Sequence, residues 1–142
     1  MKSLNGWLQE YSVSHQNHTN KLLHHICVPL IFFSILGMLW DLEVAGIRGA
    51  WVLAAFGMAF YVRLGWRVSL VMLLQISVCF AILSFWSQRG SFVFWPCLAI
   101  FVAAWIGQFV GHKIEGAKPS FFQDIQFLLI GPLWVFSSFL KK

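Results

Sequence analysis

VSLVMLLQISVCFAILSFW, residues 68–86, is a run of nineteen residues without a charge. A straight helix needs roughly 20 residues, with about 17 as a lower limit, to cross the hydrocarbon core of a bilayer. This run meets that length, and so does 92–110 beyond Gln88, Arg89 and Gly90. Upstream, 22–40 is a third such stretch, although it contains His24 and His25. The charge-free stretches 49–62 and 125–140 are shorter. The expected fold is therefore all-α: an integral membrane helical bundle with four transmembrane helices and a fifth apolar segment that spans or re-enters. One domain, 1–142, holds a polar segment over 1–21 and apolar segments over about 22–40, 49–64, 67–87, 92–111 and 121–140.

Composition agrees. The chain is 59% hydrophobic and 11% charged, where soluble domains carry about 25% charged residues. A core of this size cannot bury so much apolar surface, so lipid must cover part of it. The segment before Lys21 lacks an apolar core with a small-residue cleavage site, so no cleavable signal is expected. The net charge of +5 comes from Lys and Arg scattered singly or in pairs. That pattern reads as membrane topology, and no nucleic-acid partner is expected.

The breaks between spans have local causes. Asp41 and Glu43 close the first, Arg63 and Arg67 flank Gly65 between the second and third, and Lys113, Glu115, Lys118 and Pro119 follow the fourth. Trp40, Trp51, Trp66, Trp86 and Trp95 lie at span ends, as in an interfacial aromatic belt. Pro29, Pro96 and Pro132 are expected near helix starts, where a missing N–H costs little. With the N-terminus cytoplasmic, that side holds Lys2, Lys21, Arg63, Arg67, Lys113 and Lys118, against Arg48 and Arg89 opposite. The bias favours a multi-pass protein with a cytoplasmic N-terminus, in a bacterial inner membrane or the endoplasmic reticulum. Cys27, Cys79 and Cys97 sit in apolar runs at no metal or redox spacing and read as buried free thiols.

Four of the five histidines fall within HQNHTNKLLHHI, residues 15–26, and the fifth is His112. Four crossings return the chain to its starting side, which brings His112 to the face that holds the other four. His15 and His18, three apart, share a face if that segment is helical, and so do His112 and Glu115. Imidazoles with a carboxylate suit iron or zinc. Each of these residues also has a plain reading. A histidine at a membrane boundary is commonly an interfacial polar group. Glu115 can pair with Lys113 or Lys118, Gln75 and Gln108 can bond between helices, and Asn17 and Asn20 can cap the first helix. Composition and spacing leave a metal enzyme, a transporter and a structural membrane protein open. Few intramembrane charges argue against an ion pump, and the absence of a repeat argues against alternating access.

Two stretches carry a resemblance: Tyr11 with HQNHTNKLLHHICVPLI, residues 15–31, and WIGQFVGHKIEGAKPS, residues 105–120. Together they resemble the Mpo1-like family over nearly the whole chain. The resemblance implies a ferrous-iron dioxygenase of fatty acid α-oxidation. Its partners would be O2 and a membrane-borne 2-hydroxy fatty acid, and its products a fatty acid one carbon shorter and CO2. It also implies His15, His24 and His112 as the catalytic and metal-binding histidines. Glu115 and His25 are further metal candidates. Asn20, Lys21, Gln108 and Lys113 are candidates for contact with the substrate. His18 and His25 are extras of this sequence.

Overall fold

The computed structural model describes residues 3–13, 15–116 and 129–136. In chain order the elements are α1 (Leu4–Val13), α2 (His18–Met38), β1 (Glu43–Val44), β2 (Ile47–Arg48), α3 (Gly49–Leu64), α4 (Trp66–Ser87) and α5 (Phe94–Glu115). A further helical stretch, α6, covers 129–135. The fold is all-helical apart from the two-residue strands. Lys2, Lys118, Pro119, Lys141 and Lys142 lie outside the described residues, as does most of the expected fifth segment.

Among the described residues, three helices, α2, α4 and α5, are long and apolar enough to cross a membrane. The sequence led us to expect four. The expected second span is helical as α3, but its 16 residues give about 24 Å at 1.5 Å per residue. That falls short of a hydrocarbon layer of roughly 30 Å. α2 starts at His18, four residues before the charge-free run. Asn17 explains the start, because its side-chain oxygen accepts from the backbone N–H of Thr19 (2.9 Å) and Asn20 (3.3 Å). These are two of the donors a helix N-terminus leaves unpaired. The early start places Pro29 inside α2, not near its beginning, so the His25 carbonyl loses its intrahelical partner. Pro96 does lie in the first turn of α5.

The chain divides into two compact units, residues 32–101 and residues 1–31 with 102–142. The core of the first contains Leu36, Trp40, Ala50, Leu83, Val93 and Cys97. Gly37 permits this packing, since a Cβ there would run into the Cys97 side chain. Trp40 is buried at 6% exposure, unlike a belt residue. Arg48 covers it, with the guanidinium 5.0 Å from the ring centre and Nη1 donating to the Trp40 carbonyl at 3.0 Å. Trp51, Trp66 and Trp95 are exposed as a belt requires. Ala45 and Gly46 both take positive φ, 53° and 78°. This is the left-handed pair that a two-residue hairpin between β1 and β2 demands. Asp41, which closes α2, accepts from the backbone N–H groups of Val93 and Phe94 at 2.8 and 3.0 Å and so caps α5. The three cysteines are buried free thiols.

Candidate metal centre

His15, His24 and His112 meet within the second unit. One ring nitrogen from each lies within 4.8 Å of the others, and all three residues are buried. Their ring centres are 4.1 Å (His15–His24), 5.1 Å (His24–His112) and 5.8 Å (His15–His112) apart. Among the described residues, the group comprises these three histidines alone.

Each histidine arrives from a different piece of chain. His15 lies in the connection between α1 and α2 rather than on a helix, so it does not share a helix face with His18. His24 is in α2, and His112 is in the last turn of α5. The His15 ring stacks on Tyr11 at 4.2 Å with the planes 1° apart, and its Nδ1 donates to the Tyr11 carbonyl at 2.6 Å. The His24 Nδ1 donates to the Asn20 carbonyl at 2.9 Å. A carbonyl only accepts, so in both neutral rings Nδ1 carries the proton and Nε2 keeps its lone pair. Backbone carbonyls commonly orient metal-binding imidazoles in this way. Burial holds the His15 imidazole below the ordinary histidine range, which favours the neutral form that a metal needs.

His15 Nε2 and His112 Nδ1 are buried with no hydrogen-bond partner. Such orphaned atoms cost about 1–3 kcal/mol each when nothing fills the deficit. A divalent cation would fill it. Three neutral nitrogen donors with no thiolate suit iron or zinc, and they leave coordination positions for other molecules. The residues present therefore fit a metal.

Aromatic side chains wall the group. Trp134 in α6 lies 5.1 Å from the Tyr11 ring and 5.4 Å from His15, and its indole N–H donates to Ser12 Oγ at 2.9 Å. Gly131 lets α6 approach Val28, whose side chain an added Cβ would meet at 2.9 Å. Gly107 and Gly111 do the same for α5 against α2. A Cβ on Gly107 would meet Cys27, and one on Gly111 would meet the side chains of Asn20 and Leu23.

The remaining candidates take other places. His18 and His25 are exposed; the His25 ring abuts Trp134 at 5.0 Å, and its Nδ1 bonds the Lys21 carbonyl at 2.7 Å. Glu115 stands outside the trio, with both carboxylate oxygens engaged by Gln16, Asn17 and Asn20. Asn20 is no cap, because it is completely buried inside the first turn of α2. Gln108, one helical turn before His112, is 4% exposed with Nε2 unpartnered. Lys21 is half-buried and Lys113 exposed. Sequence reasoning missed the packing role of Gly107 and Gly111, although G-x-x-x-G within an apolar helix signals close approach. It also missed Trp134, for which no local signal exists.

A family model described as "2-hydroxy-palmitic acid dioxygenase Mpo1-like" matches residues 1–142. A curated relative from Saccharomyces cerevisiae, the 2-hydroxy-palmitic acid dioxygenase MPO1, is 32% identical over 145 residues, covering 98% of this chain and 80% of the relative. No solved structure matches.

Proposed function

Since the chain belongs to the Mpo1-like family, we propose that it is an iron(II)-dependent dioxygenase embedded in a membrane. The reaction takes a 2-hydroxy fatty acid and O2 to a fatty acid one carbon shorter, CO2 and water. The observation that carries this reading is the buried trio of imidazoles with orphaned nitrogens. Bound ferrous iron supplies the redox chemistry that lets O2 react beside the C1–C2 bond.

The chain's own residues have separable tasks in this proposal. His15, His24 and His112 hold the metal, with Tyr11 and Asn20 fixing two of the rings. Trp134 and Tyr11 exclude water. The Gln108 amide offers a buried donor to a substrate oxygen, and its missing partner supports that role. Lys21 and Lys113 attract the substrate carboxylate at the interface. Exposed apolar residues beside the centre, Leu22 and Ile26 of α2 and Ile106 and Phe109 of α5, admit the acyl chain from lipid, so it need not be extracted into water. The N-terminus is cytoplasmic and the protein multi-pass.

Oxygen uptake by the iron-loaded protein in detergent tests the proposal. With 2-hydroxyhexadecanoic acid, uptake is expected together with one CO2 and one pentadecanoic acid per O2. Hexadecanoic acid is expected to give no uptake. Iron binding without uptake on any 2-hydroxy acid would refute the reaction. Zinc retention without uptake would favour a structural centre.

A further inference from the structure

We propose that Glu115 is a positioning residue of the metal centre: a carboxylate latch, outside the ligand set, that sets all three histidines in register. This rests on the metal reading above, and not on the identity of the substrate.

Glu115 is bonded to neighbours of His15 and His24, and shares the last turn of α5 with His112. Oε1 accepts from the backbone N–H of Gln16, the residue after His15, at 2.8 Å. Oε2 accepts from the backbone N–H of Asn17 at 2.8 Å and from the Asn20 side-chain amide at 3.0 Å. The carbonyl of that same Asn20 orients His24. Glu115 itself stands three residues beyond His112 on α5. One side chain thus ties the segment carrying His15, the turn carrying His24 and the helix carrying His112.

Ordinary helix capping does not account for these bonds. The N–H groups of Thr19 and Asn20 inside α2 are already taken by Asn17. Glu115 takes the two upstream N–H groups, in the segment that links His15 to α2. Three converging donors call for a group that only accepts, which a carboxylate is and a carboxamide is not. Placement beside the N-terminus of α2 favours its negative charge as well. With its oxygens so engaged, Glu115 acts through the histidines, not as a ligand.

The test is a titration of the metal-free full chain with Co(II) against a chelator, with visible absorption as the second readout. Glu115→Gln is expected to weaken Co(II) about 10–100-fold, as loss of a residue that orients metal ligands does, and to alter the d–d bands. Glu115→Asp keeps an acceptor-only group and is expected to recover part of both. Asp41→Ala, which removes the cap on the N-terminus of α5 and touches none of the latch residues, is expected to lower thermal stability and leave the cobalt spectrum unchanged. Wild-type affinity and spectrum in Glu115→Gln would overturn the latch while leaving the centre standing. Failure of the wild-type chain to bind Co(II) would overturn the centre, and the latch with it.

Discussion

His24→Ala is expected to abolish iron retention and O2 uptake while helical content and membrane insertion stay at wild-type levels. His24 is 1% exposed, and it sits within 5.1 Å, centre to centre, of both other rings. Its loss leaves two imidazoles, and among the described residues no other His, Cys, Asp or Glu joins the group. α2 and α5 also meet away from it, at Gly107 against Cys27 and at Gly111 against Asn20. Iron content and circular dichroism on the same preparation check both halves. A variant that keeps stoichiometric iron and full turnover would falsify the assignment of His24.

The same centre carries a pH dependence. The folded chain holds His15 below the usual value of about 6.5, so protons compete with the metal less than they would at a free imidazole. Below about pH 6.5 the unfolded chain binds a proton at this residue that the folded chain does not. The apo protein is therefore expected to lose stability as pH falls through that point and to keep it above. Thermal unfolding of metal-free His15→Gln against wild type, from pH 7.5 to 5, checks the sign: only the wild type should show this part of the slope.

Gly111→Ala is the second substitution with a large expected effect. An added Cβ would sit against Asn20 Oδ1, too close for any real contact, and within 3.5 Å of Leu23. Asn20 cannot swing aside freely, since its amide is tied to Glu115 and the residue is completely buried. α5 must then move off α2 where His112 faces His24. Overpacking of this kind costs about 1–3 kcal/mol. Both a lower melting temperature and weaker metal binding are expected. An unchanged melting temperature with unchanged metal affinity would show that the helices do not meet at this glycine.

How much of this could be read beforehand follows from which signals are local. Charge-free runs marked α2, α4 and α5, because lipid imposes a length on each helix separately. α3 was marked too and counted as a span, but its 16 residues leave it shorter than the other three. The amphipathic ten-residue α1 carries no such signal, and it was absorbed into a polar segment. The return of His112 to the other histidines was expected from four crossings, whereas three helices of spanning length are seen among the described residues, and the selection of His15, His24 and His112 came from the family resemblance. The exposure of His25 was invisible in sequence, because adjacent helical residues differ by about 100° and only packing decides which faces inward. Glu115 shows the limit most clearly. Its spacing from His112 suits a ligand as well as it suits a latch, and the residues that distinguish the two, Gln16, Asn17 and Asn20, lie almost a hundred positions away in the chain.

The measurement closest to the central claim is the metal content of the chain purified without oxygen, in wild type and in a variant with His15, His24 and His112 all replaced by alanine. One iron per wild-type chain and none in the variant is the result this account requires. Iron or zinc retained by the triple variant, or a wild-type chain that takes up no iron when it is offered, would contradict it.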